Sequence, residues 1–241
     1  MSTTSAILKT VQAAFEHEPR INLHQYPIHV ALSNGDLIVE GEVANVAAKK
    51  LGLELAASVS GTTGIVDRLR VVPAQRMGDG TIRDHVRDAF LQEPVLKTCT
   101  IQAWTKNQLE TYQEVLQEPA GVITIGVEDG VVTLNGRVPS LSHKRLAGVL
   151  VWWVPSSRDV INGLDVSPDQ EDNDDEVTDA IRLVLEKDPF INAGQIQVQT
   201  HNAIVTLEGL VANDQAKDMA EFDAWYVFGV DKVVNNLRRQ A

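Results

Sequence analysis

A single cysteine, Cys99, is present among 241 residues. An intramolecular disulfide is therefore impossible, and a metal cluster held by several thiolates is excluded. Aromatic residues are also scarce, at 5% of the chain, so the places where they gather are informative. The remaining composition, with 44% apolar and 22% charged residues, is that of an ordinary globular protein.

Clusters of lysine and arginine are missing as well. The net charge is −12, and residues 169–241 hold 15 of the 33 acidic residues but only 6 of the 21 basic ones. Binding to a polyanion needs clustered cations that displace counterions. The sequence therefore argues against nucleic acid as a partner, and the same reasoning weakens binding to an anionic membrane surface.

Much of the acidity lies in the run Asp169–Asp179. Its alternating carboxylates, Asp172, Asp174 and Glu176, superficially resemble a calcium-binding loop. Such a loop needs glycine at its sixth position, and Val177 stands there instead. We interpret the run as a solvated linker.

No apolar run approaches the roughly 20 residues that a membrane-spanning helix needs, and the first residues lack the pattern of a secretory signal. We therefore expect no transmembrane segment and a cytoplasmic location, or a periplasmic one if a signal was removed. Metal-binding histidine spacings, nucleophile motifs and phosphate-binding loops are also missing. The sequence thus predicts a protein that is not an enzyme and that has no metal and no cofactor.

What the sequence does contain is a threefold repeat. The segments Ile28–Val43, Ile123–Val138 and Ile196–Val211 align over sixteen positions without a gap. Apolar residues alternate with polar ones in each, which predicts a β-hairpin with one buried face. The dipeptides Asn34-Gly35 and Asp129-Gly130 are typical of a tight two-residue turn, whereas Asn202-Ala203 fits less well and predicts a wider one.

A glycine occupies the same late position of each hairpin, at Gly41, Gly136 and Gly209. Glycine weakens the interior of a strand, so three coincident glycines indicate a close approach. Our interpretation is that a helix backbone crosses the strand there, closer than a Cβ atom would allow. The alternative is a ligand that approaches the strand.

Each hairpin is flanked by helical patterns. An apolar helical stripe that ends at an acid-proline step precedes it, and a second helix and a short apolar strand follow it. Asn45, Ser140 and Asn213 are equivalent candidate caps for the second helix. The fold class is therefore α+β: three tandem αββαβ units, each with two helices on one face of a three-stranded mixed sheet. We predict domains at residues 1–73, 79–168 and 174–241.

The middle unit contains an insertion at about residues 99–120. The segment KNQLETYQEVLQEP within it places Leu109, Tyr112 and Leu116 at helical spacing. This pattern predicts a short extra helix that packs on a neighbouring unit. A lid or a partner-binding helix is the alternative.

Aromatic residues gather at the end of the second helix in two units. Trp152 and Trp225 occupy the same position of the repeat, next to Trp153 and Tyr226. One hypothesis is that these rings pack one unit on another or bind a partner or an apolar ligand. The other is that they widen the cores of their own units.

The helix, the hairpin with its late glycine in VEGEV, LNGRV and LEGLV, and the closing strand resemble the BON (bacterial OsmY and nodulation) domain, in three tandem copies. The resemblance implies an αββαβ fold without known catalytic residues. It also implies binding to phospholipid membranes or to hydrophobic or small ligands, in a family that includes osmotic-shock proteins and a potassium-binding protein.

Together these expectations favour a non-enzymatic binding or scaffold protein, related to osmotic stress, that recognises a partner protein or a small ligand. A phospholipid-surface module is the first alternative. A potassium sensor is the second.

Overall fold

A computed structural model describes residues 3–59, 61–116 and 120–240, with the side chain of Thr3 left undescribed. The chain divides into two compact units, Met1–Val72 and Pro73–Ala241. The second unit contains both the second and the third copy of the repeat. The predicted boundaries of the three domains stay a prediction.

The first unit has the predicted αββαβ order. Its elements are α1 (Thr3–His17), β1 (Ile28–Ser33), β2 (Asp36–Val43), α2 (Val46–Ala57) and β3 (Gly64–Val71). The sheet order is β1-β2-β3, with β2 antiparallel to β1 and parallel to β3. Leu37, Val39 and Leu69 point from this sheet into a core that Val11 and Phe15 of α1 complete, all fully or almost fully buried.

The second unit repeats this arrangement twice. The second copy consists of α3 (Asp79–Gln92), β4 (Cys99–Thr105), β5 (Gln108–Gln113), β6 (Gly121–Glu128), β7 (Val131–Val138), α4 (Leu141–Trp152) and β8 (Asp159–Val166). The third consists of α5 (Asp174–Lys187), β9 (Ile196–His201), β10 (Ile204–Val211), α6 (Asp214–Tyr226) and β11 (Lys232–Arg239). The sheets have the orders β5-β4-β6-β7-β8 and β11-β10-β9, and both are mixed. The α+β fold of three repeated units is confirmed.

The predicted extra helix in the insertion is wrong. Residues 99–113 form the hairpin β4–β5 around a turn at Lys106 and Asn107, and β4 pairs parallel with β6. The middle sheet therefore has five strands where three were predicted. Ile101 and Ala103 on β4 are fully buried, and this strand-like alternation outweighs the helical spacing of the exposed Leu109 and Leu116.

All three repeat hairpins turn in the same way. Both turn residues have positive φ: 53° and 92° at Asn34-Gly35, 51° and 75° at Asp129-Gly130, and 49° and 60° at Asn202-Ala203. These values are typical of a type I′ turn, which matches the twist of paired strands. The wider turn predicted for the third copy is therefore wrong, and Ala203 is held in a backbone conformation that favours glycine.

The repeated glycines are required by the strand backbone and not by a crossing helix, which corrects our interpretation. Gly41, Gly136 and Gly209 have φ of 150°, 121° and 128°. A Cβ atom on them would lie only 2.5, 2.1 and 2.0 Å from a carbonyl oxygen at the start of the hairpin's first strand. The positive φ values disfavour any residue with a side chain, and the short distances mean that a Cβ atom would clash with the carbonyl oxygen.

The predicted caps of the second helix are confirmed in all three copies. The side chains of Asn45, Ser140 and Asn213 each accept a hydrogen bond from the backbone N–H three residues later. Each cap therefore satisfies one of the free donors of the first helical turn.

Candidate functional site

A cavity of about 370 Å³ lies where the end of α4 meets α6 and the acid-proline step after α5. The cavity therefore lies at the contact between the second and third copies, within the second unit. Four aromatic rings, a methionine, a proline and two aspartates line it: Trp153, Phe190, Phe222, Tyr226, Met219, Pro189, Asp188 and Asp223. Phe190, which is 72% exposed, marks the open side. An apolar wall with a few convergent polar groups is the usual form of a small-ligand site.

The two aspartates form a buried carboxyl pair. Asp223 is 3% exposed and Asp188 is 6% exposed. Trp153 Nε1 donates a hydrogen bond of 2.8 Å to Asp223 Oδ1, whereas Asp223 Oδ2 is buried and has no hydrogen-bond donor among the described residues. Asp188 Oδ1 accepts from the backbone N–H of Phe190 at 2.8 Å. A proton held between the two carboxyl groups would supply the donor that Asp223 Oδ2 lacks.

Burial, and then the charge and hydrogen bond of Asp188, raise the pKa of Asp223 to about 8, against the lowering effect of the Trp153 hydrogen bond. Burial and the charge of Asp223 also raise the pKa of Tyr226 to about 12. Two carboxylates this close do not both ionise near neutral pH. With its pKa raised to about 8, Asp223 keeps its proton at neutral pH.

Asp188 is positioned by the acid-proline step, which recurs in all three copies. Proline ends the helix before it, and the acidic side chain then accepts a hydrogen bond from the backbone N–H two residues later: Glu18 from Arg20, Glu93 from Val95 and Asp188 from Phe190. In the second unit these acids also make longer-range contacts. Lys187 Nζ lies 2.7 Å from Glu93 Oε1, while Asp188 faces Asp223.

The predicted aromatic residues have different positions in the structure. Trp153 and Tyr226 line the cavity, and Trp152 stacks on Tyr226 with ring centroids 5.9 Å apart and planes inclined by 12°. Trp225 is almost completely buried. Three of these rings thus lie at the contact between the second and third copies. Ligand binding by any of them stays a prediction.

The run Asp169–Asp179 is not simply a solvated linker, which corrects that interpretation. Asp172 forms an ion pair with Arg145 of α4, whose side chain is fully buried. Asp174, the first residue of α5, accepts hydrogen bonds from the backbone N–H groups of Asn202 and Ala203 at 2.7 and 3.0 Å. These two hydrogen bonds lower the pKa of Asp174.

Sequence reasoning missed the acidic half of the cavity, although the repeat carried a signal for it. Asp223 occupies the position of Leu55 in the first copy and Leu150 in the second. An acid on the apolar stripe of a helix, where both sister copies have leucine, indicates a special environment. Met219 and Phe222 of the same helix also line the cavity.

Other candidate chemistry is limited in the part of the chain that the structure describes. Cys99 is buried, and burial raises the pKa of its thiol, so it is a poor nucleophile. Three or more histidine, cysteine or carboxylate side chains are nowhere grouped to hold a metal ion within residues 3–59, 61–116 and 120–240. Over the same residues, every helix is too short or too polar to cross a membrane.

Two solved structures of CdsD, a structural protein of the type III secretion system of Chlamydia trachomatis, are similar to this chain at 14% sequence identity. One, of its C-terminal domain, covers 98% of this chain and 98% of that one, with a TM-score of 0.25. The other covers 98% and 93%, with a TM-score of 0.24. No curated protein sequence matches the chain.

The model of the BON domain family matches three regions, residues 3–73, 100–168 and 173–241. The second match begins after α3, at the inserted hairpin. Because the three matches include most of the sequence, the chain belongs to the BON domain family and carries three tandem copies of the domain.

Proposed function

We propose that this protein is a non-enzymatic binding protein, and that the cavity between α4 and α6 is its recognition site. The observation that supports the proposal is the lining of this cavity. Four aromatic rings and Met219 surround a buried carboxyl pair, in a space of about 370 Å³. Such a volume accommodates a small molecule or a single side chain of a partner protein.

The contact between the second and third copies gives the site its shape. Trp153 comes from one copy, and every other lining residue comes from the next. The Trp152–Tyr226 stack and the Arg145–Asp172 ion pair lie at the same contact. The third copy therefore supplies most of the wall, and the second copy contributes the indole that hydrogen-bonds to Asp223.

The proposal can be tested on the full chain by NMR with small apolar fragments such as indole and cyclohexanol. The indole Nε1–H signal of Trp153, assigned with Trp153→Phe, should shift as fragments are added. Met219→Trp should fill the cavity and abolish the shift, while Leu116→Trp, at an 84% exposed position, should leave it unchanged. Fragments that leave Trp153 unaffected, or that bind Met219→Trp equally well, would contradict the proposal.

The family resemblance adds three narrower proposals: a phospholipid-surface role, a role in osmotic stress and potassium sensing. The first predicts that the full chain sediments with vesicles of at least one lipid charge. The second predicts that its abundance rises when the source cells are moved to high salt. A potassium-sensing role predicts in addition a melting temperature that rises with K⁺ but not with Na⁺.

A further inference from the structure

We propose that the ligand of this cavity is a small organic cation, an ammonium group with an apolar body. This inference rests on the proposed function and specifies its ligand. The cavity contains both kinds of group that bind such a cation. Aromatic rings attract a cation to their faces, and a carboxyl pair supplies a compensating negative charge.

The charge of the lining supports a cation over an anion. Among the eight lining residues, all of them described, two are acidic and none is basic. The nearest lysine in sequence, Lys187, is held by Glu93 at 2.7 Å. An anion would meet a buried negative charge without a compensating cation, and this is unfavourable in a site of low polarity.

The same lining argues against a bare metal ion. Calcium and similar hard cations need six or more oxygen ligands, and magnesium needs a near-octahedral set. Here the two carboxyl groups offer at most four oxygen atoms, and two of these already accept hydrogen bonds, Asp188 Oδ1 from the Phe190 N–H and Asp223 Oδ1 from Trp153 Nε1. The remaining wall is largely carbon, which suits an alkylated ammonium group that carries little water.

The carboxyl pair adds a measurable consequence. A cation beside the pair favours its doubly ionised form, so binding should release part of the shared proton to solvent. Asp223→Asn keeps an acceptor for Trp153 and provides a permanent donor toward Asp188. This variant retains one negative charge but has no shared proton to release.

The experiment compares choline with 3,3-dimethyl-1-butanol, which has the same shape without the charge. Binding to the full chain is followed by calorimetry in buffers of different ionisation enthalpy and by the Trp153 indole signal. We expect choline to bind about tenfold more tightly than the alcohol, as a desolvated cation–aromatic contact with a nearby charge implies. Proton release should accompany choline binding and disappear in Asp223→Asn.

The double variant Asp188→Asn/Asp223→Asn removes the negative charge while it keeps the shapes of both side chains. We expect its affinities for choline and for the alcohol to agree within about twofold. Retained binding of the alcohol would show that the variant is folded with its cavity intact. An unchanged preference for choline in this variant would overturn the role of the pair.

The outcomes separate the cation inference from the proposed function. Equal binding of choline and the alcohol to the native chain would overturn the cation and leave the binding cavity standing. Failure of both ligands and of the apolar fragments would overturn both. If choline binds, co-sedimentation with phosphatidylcholine vesicles identifies a lipid headgroup as the source of the cation, and its absence identifies a free molecule.

Discussion

At the scale of single residues, Ala203 lies in a conformation that its side chain disfavours. Its φ of 60° completes the type I′ turn of the third hairpin, where the other two copies have glycine. The carboxylate of Asp174 holds this turn through the N–H groups of Asn202 and Ala203. Neighbouring residues therefore hold the backbone of Ala203 in this conformation, at a local cost in free energy.

Ala203→Gly should raise the free energy of unfolding by about 0.5–1 kcal/mol, because relief of the left-handed strain exceeds the added entropy of the unfolded chain. Chemical denaturation measures this change. The control, Ala212→Gly, alters an exposed loop residue without positive φ and should be slightly destabilising. A loss of stability in Ala203→Gly would contradict the strain.

Asp223 should make stability depend on pH. Its pKa is raised from 3.8 to about 8, so the folded protein retains a proton that the unfolded chain has lost. Between about pH 4 and pH 8, stability should therefore fall as pH rises, by at most about 1.4 kcal/mol per pH unit. The groups that face Asp223 are Asp188, Tyr226 and Trp153.

The pH profile of Asp223→Asn, subtracted from that of the native chain, isolates this contribution. Asp218→Asn, an exposed position on the same helix, is the control and should leave the slope unchanged. Asp174 acts in the opposite direction and in a separate range. Its lowered pKa stabilises the fold at higher pH and ceases to do so as the solution is acidified below its ordinary value.

At the scale of elements, a polar contact joins the second helix to the closing strand in every copy. In the second and third copies an asparagine makes this contact, and in the first copy a lysine and an aspartate make it. Asn162 Nδ2 donates to the Lys144 carbonyl at 2.7 Å, and Asn235 Nδ2 donates to the Lys217 carbonyl at 3.0 Å. The first copy has Asp67 at this position, which cannot donate. There Lys49 turns inward, with Nζ 2.7 Å from both Asp67 Oδ2 and the Leu69 carbonyl oxygen.

Lys49→Met should therefore destabilise the first unit by about 2 kcal/mol, because a partly buried carboxylate loses its partner. Lys49→Met with Asp67→Asn should recover at least half of this loss, since the asparagine can then donate to the helix carbonyl as in the other copies. A double-mutant cycle from urea denaturation measures the coupling. Additive effects of the two substitutions would show that the pair does not act as a unit.

The repeat made most elements predictable, because local chemistry fixed them three times. Asn34-Gly35, the acid-proline steps and the caps Asn45, Ser140 and Asn213 each specify a local conformation that sequence alone reveals. The inserted hairpin was not predictable in this way. Its residues favour a helix locally, but pairing of β4 with β6 stabilises the strand instead. This pairing joins residues about 20 positions apart in the chain.

The aromatic residues of the cavity were predictable from the sequence, but its two aspartates were not, because their proximity also depends on contacts between distant residues. The recurrence of Trp152 and Trp225 indicated where aromatic residues gather, but not which copies meet there. Asp188 and Asp223 become neighbours only after two helices of the third copy have packed. Their joint burial depends on tertiary geometry that no local pattern specifies.

At the scale of the whole molecule, the second and third copies form one compact unit, and buried charge contributes to their contact. Arg145 of α4 is 1% exposed, donates to the Phe228 carbonyl at 3.1 Å and pairs with Asp172. A guanidinium removed from water needs such partners. Asp172 thus stabilises both copies, although it lies in the segment that connects them.

Asp172→Asn should lower the free energy of unfolding of the second unit by about 1–2 kcal/mol, because Arg145 stays buried without its carboxylate. Asp169→Asn, exposed in the same segment, should have no measurable effect. Thermal denaturation with tryptophan fluorescence follows this unit, since all four tryptophans lie in it. Equal effects of the two substitutions would mean that the ion pair adds nothing.

The difference between the ends of the second helices gives the array a direction. The first copy ends this helix with Ala57 and Ser58, the second with Trp152 and Trp153, and the third with Trp225 and Tyr226. Only the second copy carries the indole that reaches the acid of its successor. Loss of the third copy would therefore expose more of Trp152 and Trp153 to water, and loss of the second would leave Asp223 without the indole N–H that donates to it. Gene rearrangements that separate these two copies should therefore be selected against, even though every copy keeps the same topology.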